Sequence, residues 1–277
     1  MGHEDVPPRS PRTIVVTGGA LGIGGGISRR FAAEGDHVVL VDIDSDAAEA
    51  TASEIEEDGG SCTALVGDIT RDDTVARLAA HVQEQHGHAE VLVNNVGDFR
   101  PAKSFFAKSP PEQWQRLHEL NLRHVFAVTH ALLPGMIAAG RGSIVNVSTV
   151  EAFRGIPGNA VYSAYNAGVS AFTKSLAVEL GPSGIRVNAI APDLADTPQT
   201  PAELMLAGRD PALLRSWLPA GRFGRPEDFA GVVAFLASDD AAFVTGHTIP
   251  VDGGTLAASG WYGRAEGRGW TNLPDRA

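Results

Sequence analysis

A doubly wound α/β fold, one parallel sheet with helices on both faces, is what this 277-residue sequence predicts. Short runs of consecutive apolar and β-branched residues alternate with longer helical patterns from residue 13 to residue 254, and such unbroken apolar strands belong to a sheet buried on both sides. The first strand also runs directly into a glycine-rich turn that opens a helix, the start of a dinucleotide-type βα unit.

Each element can be justified in order. After a polar, proline-bearing lead (residues 1–11), TIVVT (13–17) reads as a strand, GGALGIGGG as the turn, and the stretch to Glu34 as an amphipathic helix. HVVLVD (37–42), an acidic helix after Asp44, CTALVG (62–67), a helix from Asp72 to His86 and VLVNN (91–95) repeat the alternation. SIVNVS (143–148), a long helix from about Asn159 to Leu180, IRVNAIA (185–191) and a terminal HTIPVDGG complete it. No linker-like shift in composition and no fixed-period repeat divides the chain, so residues 12–254 are read as a single Rossmann-type domain. Residues 193–219, with Pro198, Pro201, Pro211 and Pro219, read as a lid beside a site. Residues 255–277 form a C-terminal tail carrying Trp261, Tyr262 and Trp270, for which packing and an interface role both stay open.

Composition narrows the function. Hydrophobic residues at 43% and charged residues at 20% exclude disordered and fibrous classes. A net charge of -11 argues against nucleic acid and against an anionic membrane surface as partners, since both call for a basic face. The single cysteine, Cys62, forms no internal disulfide, and no uninterrupted apolar run approaches a membrane span, so a cytoplasmic protein is expected. Neither the scattered histidines nor Cys62 has zinc-ligand spacing, and there is no GxSxG elbow for a hydrolase. His81, His86 and His88 are expected to be solvated at a helix end.

The glycine-rich turn decides the class. In TGGALGIG, Gly18, Gly22 and Gly24 let the backbone turn tightly and approach a pyrophosphate at the helix N-terminus, flanked by Leu21 and Ile23. Asp42 closes the second strand eighteen residues after Gly24, where an acidic side chain accepts hydrogen bonds from an adenosine ribose. A carboxylate there repels a 2'-phosphate, and neither Leu21 nor Ile43 supplies a positive charge, so NAD is expected over NADP.

From residue 12 to residue 254 the chain resembles the short-chain dehydrogenases/reductases, through an ordered set of motifs: TGGALGIG, GDIT, NNVG (94–97), ELNL, VNVST, YSAYN, IRVNAIAP and VDGG. The resemblance implies hydride transfer between NAD(H) and a secondary alcohol or ketone, with the substrate read here as lipophilic or alicyclic. It places Asp68 and Ile69 at the adenine, Asn95 and Gly97 near the adenosine ribose, and Pro192 through Thr197 along the nicotinamide. It also implies a homotetramer, with a dimer as the alternative, formed through the helices carrying residues 112–138 and 159–180 and the C-terminal strand.

The family's catalytic tetrad is Asn, Ser, Tyr and Lys. Asn121, Thr149 and Tyr162 match three of its positions, Thr149 by the family spacing of thirteen residues before the tyrosine. Ser148 is the alternative hydroxyl, because neighbours in a strand point to opposite faces. The fourth position departs from the family: YxxxK reads Tyr162-Ser-Ala-Tyr-Asn166. Asn166, one helical turn on, keeps hydrogen bonds for the nicotinamide ribose but carries no charge to stabilise a tyrosinate. Alcohol oxidation is therefore expected only at raised pH. Phe99, Phe105, Phe153 and Trp217 are candidates for an apolar pocket. The alternative function is an NAD-binding protein with little redox activity, which the missing lysine favours.

Overall fold

The structure is a computed structural model that describes residues 10–102, 104–260, 262–263 and 270–271. Its strands are β1 (Thr13–Thr17), β2 (His37–Asp42), β3 (Ser61–Val66), β4 (Val91–Asn94), β5 (Gly142–Val147), β6 (Ile185–Pro192) and β7 (Thr248–Val251). They form one seven-stranded sheet in the order β3-β2-β1-β4-β5-β6-β7, and every pairing is parallel. The order reverses between β1 and β4, the place where open sheets of this kind bind ligands beyond the strands' carboxyl ends.

The helices are α1 (Gly22–Ala33), α2 (Ser45–Glu57), α3 (Asp72–His86), α4 (Pro111–His118), α5 (His124–Ala139), α6 (Ala160–Leu180), α7 (Ala202–Leu206), α8 (Leu214–Trp217) and α9 (Pro226–Ala237). Alternate strand residues explain the unbroken apolar runs. Ile14, Val16, Val38 and Leu40 pack with Ile27 and Phe31 of α1 and Phe229 and Val233 of α9. Their neighbours Val15, Val39 and Val41 turn to the opposite face, against Leu78 of α3, Met136 of α5 and Leu180 of α6. Each strand thus feeds two cores. Asp44 caps α2 by accepting the Ala47 N–H at 3.1 Å.

Three features differ from the sequence pattern. Between α4 and α5 the helix widens into a π turn, Glu119–Arg123, that contains Asn121; one inserted residue leaves little trace in an apolar periodicity. The continuous helix 111–139 is, by length and composition alone, long and apolar enough to cross a membrane, although polar residues interrupt its apolar run. Its Leu117, Val125, Val128, Leu132 and Met136 are buried, while about two thirds of its apolar stretch is not. Finally, His81 and His86 are half-buried rather than solvated: His86 stacks near His37 with ring centroids 4.6 Å apart, and His81 lies 5.7 Å from His86.

Residues 193–219 run through α7, a 3-10 turn at Pro211–Leu213, and α8. In the tail, the backbone of Tyr262–Gly263 pairs antiparallel with Trp270–Thr271; the side chains of Trp261, Tyr262 and Trp270 lie outside the described residues.

Candidate active site

The turn after β1 holds its shape by backbone geometry that a side chain would oppose. Gly18 and Gly22 have φ of 61° and 55°. A Cβ on Gly24 would stand 1.9 Å from the Gly18 carbonyl oxygen. Helix α1 then begins with no side-chain cap at Leu21 and no acidic residue in its first turn, which leaves its N–H groups and dipole available to an anion.

Asp42 braces this turn. Its carboxylate accepts the Ala20 N–H at 3.1 Å and the Asp44 N–H at 3.2 Å. Asn95 braces it from the other side, its amide donating to the Thr17 and Gly18 carbonyls at 3.1 and 3.0 Å. Asn94 is buried and donates to Asn146 across β4 and β5 at 2.9 Å, which makes it a sheet residue. Leu21 and Ile43 are exposed. Asp68 closes a turn by accepting the N–H and hydroxyl of Thr70 at 2.9 and 2.7 Å, whereas Ile69 is buried in the apolar core. Thr197 reaches back against Gly22, so the segment after β6 crosses toward the glycine turn, and Gln199 donates to the Gly97 carbonyl at 3.1 Å.

Tyr162, in the first turns of α6, lies beside the Thr149 side chain, whose hydroxyl donates to the Pro192 carbonyl at 3.5 Å and accepts the Glu151 N–H at 3.3 Å. Ser148 points the other way, donating to the Asn166 backbone carbonyl at 3.1 Å and lying 3.4 Å from the Ser170 hydroxyl. Strand alternation thus selects Thr149 of the two hydroxyls as the one at the tyrosine. The Asn121 amide is fully engaged: Oδ1 accepts the Asp98 N–H at 3.0 Å, and Nδ2 donates to the Asp98 and Leu117 carbonyls at 2.9 and 3.0 Å. Any water this residue holds would therefore be held by its backbone carbonyl. Asn166 is buried, and its amide donates to the Tyr162 carbonyl at 3.1 Å, turned along its own helix. Lys174 is on the exposed surface of α6.

The electrostatics around the phenol are acidic. Burial pushes Tyr162 up to about 12; the Thr149 side chain opposes this, while the carboxylates of Glu151, Asp98 and Asp193 push it further up. Burial also works to raise Asp98, but four hydrogen bonds from Arg100, three from its side chain and one from its backbone N–H, outweigh it and hold the carboxyl below the ordinary range. Arg154 lies between Glu151 and Asp193. Of these five charged residues only Asp193 falls within a segment the sequence assigned to the site, Pro192 through Thr197. The available signal was their position, just past the carboxyl ends of β4, β5 and β6. Phe99 meets Tyr162 edge-on with ring centroids 6.0 Å apart, and Phe105, Phe153 and Trp217 are exposed.

Residues 18–255 match the family model described as enoyl-(acyl carrier protein) reductase. The chain is 40% identical over 245 residues to a 3-oxoacyl-(acyl-carrier-protein) reductase from Thermotoga maritima, covering 88% of this chain and 98% of that protein. It belongs to the short-chain dehydrogenase/reductase family. Another member, the cis-4-hydroxycyclohexanecarboxylate dehydrogenase of Sinomonas cyclohexanicum, is 40% identical over 250 residues, covering 89% of this chain and 97% of that protein. Among solved members, a phenylalanine-to-tryptophan variant of actinorhodin polyketide ketoreductase with NADPH superposes with a TM-score of 0.82 at 33% identity, over 89% of this chain and 97% of that one. This short-chain dehydrogenase/reductase shares with such members the parallel, doubly wound sheet with helices on both faces.

Proposed function

We propose that this protein transfers a hydride between NAD(H) and an alicyclic secondary alcohol or ketone, with ketone reduction the direction favoured near neutral pH. The observation that carries the reading is the buried Tyr162 phenol beside the Thr149 hydroxyl at the carboxyl end of β5. The cofactor supplies the hydride. Thr149 polarises the carbonyl oxygen, and the Tyr162 hydroxyl, protonated at neutral pH, delivers the proton to that oxygen. Asn121 holds the helix and the Asp98 loop in place, with its backbone carbonyl as the water site. Asn166 bonds the nicotinamide ribose after its amide turns from its own helix. The segment 193–219 acts as the lid of the 12–254 domain.

A solved relative carries NADPH, so the reading of NAD here rests on local residues. Asp42 stands at the ribose position, and the nearby cations are already committed, Arg29 to Glu54 and Arg30 to Glu34. Titration should show NAD(H) binding at least about tenfold tighter than NADP(H), the consequence of one unscreened carboxylate facing a phosphate. Equal affinities would remove the role given to Asp42.

The reading includes a cytoplasmic homotetramer without nucleic-acid or membrane partners. Phe126 of α5 is partly exposed and packs against Phe172 of α6, which supports these helices as the face between copies. A second reading, a cofactor-binding protein with little turnover, is favoured by the Asn166 amide being engaged with its own helix. A screen of alicyclic ketones with NADH at pH 7 and of the matching alcohols with NAD at pH 10 separates the two. Turnover supports the enzyme, and its absence at both pH values supports the binding protein.

A further inference from the structure

Glu151 lies in the 3-10 turn Val150–Ala152 beyond β5, and its side chain is nine-tenths buried, 10% exposed. Only one carboxylate oxygen is paired: Arg154 Nη2 donates to Oε1 at 3.0 Å and is shared with Asp193 Oδ2 at 2.7 Å. The other oxygen, Oε2, is enclosed and has no hydrogen-bond partner among the described residues. An enclosed carboxylate oxygen without a donor bears its full desolvation cost, so a donor from outside the chain would be favoured there.

Its surroundings tie Glu151 to the reaction. The Glu151 N–H donates to the Thr149 hydroxyl oxygen at 3.3 Å, the same hydroxyl that lies beside Tyr162. Three carboxylates surround the phenol, and two guanidiniums answer them. Arg100 takes Asp98, with its closest contact at 2.7 Å, and Arg154 is divided between Glu151 and Asp193. Asp193 receives a further hydrogen bond from the Thr255 hydroxyl. One negative charge remains in excess, and Glu151 Oε2 is a carboxylate oxygen of this group with no donor among the described residues.

We propose that Glu151 determines specificity by receiving a protonated amine of the substrate on Oε2, so that the preferred substrates are alicyclic amino ketones and the corresponding amino alcohols. A neutral hydroxyl would satisfy the oxygen but leave the charge, and a carboxylate would be repelled by it. The inference rests on the redox reading above and refines its substrate class.

Three ketones of similar ring size form the test: 4-piperidone, cyclohexanone and 4-oxocyclohexanecarboxylate, assayed at neutral pH with NADH and NADPH. The expected kcat/KM order is 4-piperidone first, by about tenfold or more over cyclohexanone, with the carboxylate last. In Glu151→Gln, which keeps an oxygen for Arg154, the piperidone-to-cyclohexanone ratio should fall to about one. Turnover of cyclohexanone or of the carboxylate as good as that of 4-piperidone, or an unchanged ratio in the variant, overturns the inference and leaves the oxidoreductase reading intact. Should no ketone turn over with either cofactor, the oxidoreductase reading fails, and calorimetry decides the role of Glu151 by itself. Piperidine, unreactive and cationic at neutral pH, should bind the NAD-loaded protein about tenfold more tightly than it binds the NAD-loaded Glu151→Gln variant. Equal binding to both, or no binding to the wild type, overturns the proposal.

Discussion

Tyr162→Phe should lower turnover at least about a hundredfold in both directions and at every pH, because it removes the transferable proton and leaves the ring in place. The edge-on contact with Phe99 and the start of α6 depend on the ring and survive the change. Cofactor binding should therefore stay close to wild type, which fluorescence titration of NADH reads directly. Thr149 loses the hydroxyl beside it, so any activity left reports carbonyl polarisation without proton delivery. A variant that kept its activity would mean that proton transfer occurs elsewhere, and the whole site assignment would have to be abandoned.

Asn166→Lys should move the pH midpoint of alcohol oxidation down by about one to two units. The sign follows from the direction of the tyrosine's shift. With Tyr162 near 12, the protonated form needed to reduce a ketone is present at all ordinary pH values, while the phenolate needed to oxidise an alcohol appears only as pH climbs toward that value. A cation one turn along α6 stabilises the phenolate and opposes the effect of Glu151, Asp98 and Asp193. If it is worth about two units, the phenolate population at neutral pH rises roughly a hundredfold, about 2.7 kcal/mol. Asn166 is buried beside Ser148, so the longer lysine has to find room, and NAD affinity must be measured alongside the rate. Normal NAD binding with an unshifted pH profile would show that charge at this position does not control the tyrosine.

Much of the fold was legible because one physical requirement repeats through it. A strand covered on both faces must be apolar at consecutive positions, and HVVLVD and IRVNAIA display that without help from partners. The strand limits shift by one residue at β3 and β5, where Ser61 and Gly142 join the ladder at exposed or half-buried positions that hydrophobicity does not mark. The π turn around Asn121 was not legible, since it inserts one residue into an otherwise regular helix. The histidines differ from the expectation because His37, whose ring lies against His86, comes from strand β2, more than forty residues away in sequence.

The candidate site divides along the same line. Local spacing by itself determined the glycine turn, the acidic end of β2, the tyrosine on α6 and the absence of lysine at the following helical position, because each is a feature of one segment and its own backbone period. It left Ser148 and Thr149 open, and only the packing of β5 against α6 turned one hydroxyl into the helix and the other to Tyr162. The tertiary structure alone decided the charge around the phenol. Asp98, Glu151 and Asp193 follow three different strands, and their carboxylates act together on Tyr162 because a parallel sheet brings the carboxyl ends of β4, β5 and β6 side by side, distances that no spacing within a single segment encodes.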